Sequence, residues 1–275
     1  MRYGQVVVGP AGSGKSTYCS AIVKHCETIK RVVHVINLDP AAEHFDYPVQ
    51  VDIRELIQVD DVMEDKDLKY GPNGGLVFCM EYLVQNIDWL QEQLGDDDDD
   101  YFLFDCPGQI ELYTHMPVMR AVVDTLQHWN FRLCAVYLMD SHFLNDAAKF
   151  FGVCLTTLST MVQLELPHVS ILSKMDLLGK QERKEIDKFL DPEVSTLVSE
   201  LSVQSMGPQY HSLTKAIGRL IDEYSLVNFT PLDITDEESI SNVLTTVDMS
   251  IQYGEDCDIH IPKDFDDDVD NESVD

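Results

Sequence analysis

VVVGPAGSGKST, residues 6–17, sets three β-branched residues directly before Gly9-x-x-x-x-Gly14-Lys15-Ser16, with a helix-compatible stretch behind them. Strand, glycine-rich loop and helix in that order make a phosphate-binding loop, because glycines let backbone N–H groups turn inward around an anion. Lys15 is long enough to reach β- and γ-phosphates, and the Ser16 hydroxyl is a ligand for Mg²⁺. The N-terminus of the following helix adds its partial positive charge. Gly12, Ser13, Gly14, Lys15, Ser16 and Thr17 are therefore the expected nucleotide contacts, with Ser16 also on the metal.

Outward from this loop, short apolar runs alternate with amphipathic ones, the pattern of a parallel sheet covered by helices. Strands are predicted at residues 3–8, 32–37, 101–104, 133–139, 168–172 and 227–232, and helices at 15–30, 76–94, 114–128, 146–163 and 212–224. Within 76–94, Leu76, Met80, Leu83, Ile87, Leu90 and Leu94 recur at helical spacing. The expected class is an α/β P-loop nucleoside-triphosphatase fold, a mainly parallel sheet flanked by helices, over residues 1–254. The connection between the second and third strands, about 60 residues, is far longer than a βα unit requires. It marks an insertion at about 38–100. Residues 255–275 form an acidic C-terminal tail with a single Lys263, too polar to fold alone and expected to be disordered. The GDDDDD run at 95–100 reads as a solvated loop rather than a metal site.

The 275 residues are 44% apolar and carry a formal net charge of −30. Such a charge repels phosphate backbones and anionic bilayers, so neither nucleic acid nor membrane is an expected direct partner. A basic protein surface is compatible with it. Seven cysteines without a Cys-x-x-Cys pair read as reduced intracellular thiols. No signal-peptide pattern opens the chain, and no stretch approaches the roughly 18 continuous apolar residues of a membrane span. The expected location is the cytoplasm, with shuttling to the nucleus.

Three further stretches carry chemistry. YFLFDCPGQIE, residues 101–111, ends an apolar strand on Asp105, which suits contact with Mg²⁺ directly or through water. The Gly108 amide is placed to sense a γ-phosphate, and Gln109 and Glu111 to orient an attacking water. VINLDPAAEHF, residues 35–45, puts Asp39 just beyond the second strand, a second candidate for Mg²⁺ or water, with a plain Asp-Pro turn as the competing reading. SKMD supplies Ser173, Lys174, Met175 and Asp176 after the strand at 168–172, where GTPases carry Asn/Thr-Lys-x-Asp. The carboxylate accepts from guanine N1–H and the 2-amino group, donors that adenine lacks there, while the lysine stem packs on the base. Ser173 departs from Asn or Thr and is expected to weaken one framing hydrogen bond. KYGPNGGLVF, residues 69–78, reads locally as a tight turn with a helix starting near Leu76.

GPAGSGKST, DPAAE, GPNGG, DCPGQIEL and SKMD together resemble the GPN-loop GTPases, over roughly residues 2–254. The resemblance implies helical insertions in the P-loop domain, GTP and GDP as ligands, Mg²⁺ as cofactor and slow GTP hydrolysis. It implies a dimer whose nucleotide sites face the subunit interface. Gly71, Pro72 and Asn73 would then reach the neighbour's phosphates, with the Asn73 amide stabilising the transferring phosphate or positioning water. The partner implied is the family's first paralogue in a heterodimer, or a second copy in a homodimer. The process implied is assembly and nuclear import of RNA polymerase II through its subunits. Phe229 and Thr230, in NFTPLD at 228–233, are placed near the base, although no Ser-Ala pair of the kind other GTPases carry stands there. Two alternatives stay open: a GTP-dependent assembly subunit with little catalysis of its own, and a P-loop kinase, against which the thinly spread arginines speak.

Overall fold

Tyr101 and Leu103 pack into the core on one side of a strand, and Phe102 and Phe104 into the core on the other. A strand apolar on both faces needs helices on both, which is the situation of a parallel sheet. The computed structural model describes residues 1–95, 100–190, 192–204, 211–223 and 227–255. Its strands are β1 (Arg2–Val8), β2 (Val33–Asn37), β3 (Val51–Asp52), β4 (Tyr101–Asp105), β5 (Phe131–Asp140), β6 (His168–Ser173) and β7 (Phe229–Pro231). They form one sheet in the order β3-β2-β4-β1-β5-β6-β7, with every pairing parallel.

The helices are α1 (Lys15–Thr28), α2 (Val59–Glu64), α3 (Pro72–Gln85), α4 (Ile87–Leu94), α5 (Glu111–Thr114), α6 (Val118–His128), α7 (Ala147–Leu164), α8 (Lys180–Leu190), α9 (Val194–Gln204), α10 (His211–Glu223) and α11 (Glu237–Ile251). Tyr18 and Ile22 of α1 and Val243 and Val247 of α11 pack with Val7, Tyr101 and Leu103 on one face. Met80, Leu90, Val122 and Phe150, from α3, α4, α6 and α7, cover Val6, Phe102 and Phe104 on the other.

The helix expected at 76–94 is two helices. Asn86 ends α3 with φ −117° and ψ 35°, and its side-chain amide donates to the Tyr82 carbonyl at 2.9 Å. Local side-chain bonding of this kind competes with the helical ladder. The apolar spacing conceals the break because Leu83 and Ile87 keep a four-residue interval across it. The helix expected at 114–128 starts later, at Val118 behind Pro117, with α5 as a separate turn before it. The helices α2, α8, α9 and α11 and the two-residue β3 were not expected. Residues 96–99 and 256–275, which hold most of the GDDDDD run and nearly all of the acidic tail, lie outside the described residues.

Because all strands point the same way, their C-terminal ends share one edge of the sheet. That edge carries Gly9 after β1, Asn37 on β2, Asp105 on β4, Asp140 on β5 and Ser173 on β6. Register aligns Asn37 and Val7 with Asp105 and Asp140 with Ser173. Open parallel sheets bind ligands beyond this edge.

Candidate functional site

After β1 the chain turns through Gly9 (φ 144°), Gly12 (φ 76°) and Gly14 (φ 91°), backbone conformations that L side chains rarely adopt. A Cβ on Gly9 would lie 2.3 Å from the Leu138 carbonyl oxygen, so the loop seats directly on β5. Lys15 opens α1 and is buried; its Nζ donates to the carbonyls of Gly9 at 3.2 Å and Pro10 at 3.4 Å. The ammonium is thus held over the loop. A cleft of about 810 Å³ follows, lined by Gly12, Gly14, Lys15, Ser16 and Thr17 of this loop and helix start. Asp39, Asn73, Gly108, Gln109, Glu111 and Lys174, drawn from separate stretches of chain, also line it. Ser13, within the loop, is buried, with its hydroxyl unpartnered among the described residues.

The carboxylates come next. Asp105 ends β4 and is 3% exposed. Tyr47 donates to its Oδ2 at 2.5 Å. Burial pushes the Asp105 carboxyl above the usual carboxylate range, opposed by the Tyr47 and Ser16 hydroxyls and by Lys15. Asp39 is raised for the same reason, opposed by the Ala41 amide, Lys15 and Arg54. Asn37 sets its position: the Asn37 amide donates to the Asp39 carbonyl at 3.0 Å and accepts from its N–H at 3.0 Å. The Asp-Pro turn reading and the site reading of Asp39 therefore coincide, since the turn aims Asp39 at the cleft.

The donor chemistry fits Mg²⁺. Ser16 and Asp105 offer hard oxygens side by side, and an ion of this type takes one or two protein oxygens plus phosphate rather than a full protein cage. Among the described residues no cluster of three or more His, Cys, Asp or Glu side chains forms such a cage.

Gly108 crosses against the phosphate loop so closely that a Cβ there would sit 2.9 Å from Ala11 Cα. The Tyr113 hydroxyl donates to the Pro107 carbonyl and pins the turn. Gln109 keeps a buried Oε1 without a partner among the described residues, and Glu111 begins α5 facing the cleft. Gly-Pro-Asn-Gly-Gly is not a turn: Gly71 caps α3, Pro72 is its first residue, and neither Gly74 nor Gly75 has positive φ. Proline suits that first position because its missing N–H would be unpaired there anyway. Asn73 consequently projects from the first turn of a helix and lines this chain's own cleft. Within the chain, Gly71 and Pro72 do not line it.

At the other end of the cleft, the Ser173 hydroxyl reaches the Ser13 carbonyl at 2.6 Å and the Met139 carbonyl at 3.1 Å. Ser173 is thereby tied to the glycine-rich loop. Lys174 (φ 61°) is held by Asp140 Oδ2 at 2.7 Å. Asp140 is pulled below the usual range by the Lys174 and His142 bonds, against the effect of burial. Ser173, Lys174 and Asp176 line a pocket of about 150 Å³ beside Gly14 and Thr17. Met175, expected at the base, packs into the core instead and donates its amide to the Leu232 carbonyl. Phe229 and Thr230 do not line this pocket either. Phe229 stacks edge-on with Phe150 inside the core, because it belongs to β7 rather than to the segment beyond the sheet edge. Leu232 and Ile234, one and three residues past β7, line the pocket in their place. Tyr47, Leu232 and Ile234 carried no motif by which sequence could have found them.

Over most of its length the chain is similar to known proteins. The family described as "Conserved hypothetical ATP binding protein" matches residues 7–253. A Danio rerio protein named GPN-loop GTPase 3 is 57% identical over 274 residues, covering 100% of this chain and 96% of its own. One of the same name from Dictyostelium discoideum is 57% identical over 253 residues, covering 92% and 88%. The crystal structure of a GTPase in apo form from Pyrococcus abyssi superposes with a TM-score of 0.73 at 24% identity, over 90% of this chain and 97% of that one, a likeness of fold.

Proposed function

We propose, for a chain that belongs to the GPN-loop GTPase family, that it binds GTP and hydrolyses it slowly to GDP and phosphate. The observation that carries this reading is the single cleft that gathers the phosphate loop, Asp39, Asn73, Gln109, Glu111 and Lys174. The family description speaks of ATP and the relatives' names of GTP. Asp176 favours guanine, because a carboxylate accepts from the N1–H and 2-amino donors that adenine lacks at that edge.

Lys15 and the loop amides offset phosphate charge, and Ser16 and Asp105 are the residues that would hold Mg²⁺. When bound, the ion neutralises charge on the phosphate oxygens. Gln109, Glu111 and Asp39 are the candidates for orienting water. The Asn73 carboxamide is a neutral donor to charge developing on phosphate, less costly to bury than an arginine.

The working form proposed is a dimer, with the first paralogue of the family or with a second copy. An adjoining groove of about 400 Å³, lined by Asn73, Gln109, Tyr70, Val77 and Phe78, supports a partner surface beside the cleft. The cellular role proposed is assembly and nuclear import of RNA polymerase II, from a cytoplasmic location with shuttling to the nucleus. A net charge of −30 suits a basic client surface.

The test is phosphate release from GTP and from ATP by the purified chain with Mg²⁺, alone and with the paralogue. Equal affinity for the two nucleotides would overturn the guanine reading. Capture of polymerase subunits that ignores a non-hydrolysable GTP analogue would overturn the switch role.

A further inference from the structure

Tyr47 belongs to the loop between β2 and β3, is 7% exposed, and donates its hydroxyl to Asp105 Oδ2 at 2.5 Å. The loop around it is pinned. Ser20 of α1 donates to the Asp46 carbonyl at 3.3 Å, and Arg54 donates to the Ala42 carbonyl at 2.9 Å. The Arg54 guanidinium lies 4.7 Å from the Phe45 ring centre, and the Phe45 and Tyr47 rings are 5.5 Å apart. The same loop begins at Asp39, which lines the cleft. One restrained segment therefore presents a carboxylate to the cleft and a phenol to the neighbouring carboxylate.

A carboxylate this deeply buried needs hydrogen-bond donors. Lysine or arginine would supply them but would cancel the negative charge a cation needs. A phenol supplies one donor and leaves that charge in place. Ser16, the other candidate metal oxygen, lines the same cleft as Asp39. We propose that Tyr47 is a positioning residue for Mg²⁺: its hydroxyl holds Asp105 Oδ2 and fixes the carboxylate beside Ser16 in the orientation the ion uses. The inference rests on the nucleotide-binding reading above and names a residue that no motif marks.

The experiment is titration of the full chain with a fluorescent GDP analogue, in excess Mg²⁺ and in EDTA, for the unmodified protein, Tyr47→Phe, Asp105→Asn and the double variant. Tyr47→Phe removes one oxygen atom from a site that keeps its shape. It is expected to weaken binding about 10-fold in Mg²⁺, as for loss of a hydrogen bond to a buried charged group. In EDTA its affinity stays within about 2-fold of the unmodified chain, because the phenol acts through the ion. In the Asp105→Asn background the Mg²⁺-selective effect of Tyr47→Phe disappears, as coupling between the two residues requires. Equal weakening in Mg²⁺ and EDTA would mark a structural role and overturn the proposal, as would no weakening in either. Persistence of the selective effect in the double variant would overturn it too. If the unmodified chain binds no GDP in either buffer, the nucleotide reading itself fails and this one with it.

Discussion

The Ser173 hydroxyl sits 2.6 Å from the Ser13 carbonyl oxygen, joining the end of β6 to the glycine-rich loop after β1. The two residues are 160 positions apart in the chain. A short side chain suffices because β6 ends directly behind the phosphate loop.

Removing that tie with Ser173→Ala should cost about 1 kcal/mol of binding, the usual worth of one neutral hydrogen bond. Calorimetric titration should then show GTP affinity lower by about 5-fold, with the fold unchanged by circular dichroism. Unaltered affinity would mean the link does not support the nucleotide.

Asp176→Asn exchanges an acceptor for a group that presents a donor to guanine N1–H. GTP affinity should fall by about 10- to 100-fold, as expected when a hydrogen bond to a charged group is lost. ATP affinity should change little, so competition between the two nucleotides reports the result directly.

Asn73→Ala tests the helix-borne carboxamide. Hydrolysis is expected to drop by about 10-fold or more, the scale on which a positioned donor to developing charge acts. GTP binding should be nearly intact. Unchanged turnover by a dimer that remains assembled would remove Asn73 from the chemistry.

His168 gives the stability of the chain a pH dependence remote from the cleft. Burial pushes its imidazole down from 6.5 to about 4, and neither ring nitrogen has a hydrogen-bond partner among the described residues. The unfolded chain takes up the proton first, so stability is fully present above about pH 6.5 and is lost as pH falls toward 4. Between pH 7 and 5 the loss should be on the order of 2 kcal/mol. His168→Phe keeps a ring against Tyr137, which His168 stacks on with centroids 6.0 Å apart, and should flatten this part of a urea-denaturation profile.

Much of the site was legible because its chemistry is carried by neighbours in sequence. The glycines, Lys15 and Ser16 lie within one loop, and Asp105, Gly108, Gln109 and Glu111 within one strand end. Asn73 was marked by its run of Gly-Pro-Asn-Gly-Gly, although that run opens a helix rather than a turn. Glycine and proline serve both purposes, and their φ values are not written in the residue names. Met175 and Phe229 were misplaced by adjacency itself: each stands near residues of the pocket in sequence, but its side chain packs into the core.

By itself, the sequence determined the parallel α/β class and the glycine-rich loop between β1 and α1, and it singled out Asp105 and Asp176 as candidates for the metal and for guanine. Each rests on residue types at short spacing, where local chemistry allows few solutions. Tertiary structure alone decided that Tyr47 grips Asp105, that Ser173 ties to Ser13 and that Leu232 and Ile234 wall the pocket beside Ser173 and Asp176. Those contacts join segments distant in the chain. They exist because parallel strands bring their C-terminal ends to one edge, an alignment set by packing on both faces of the sheet and by no local pattern.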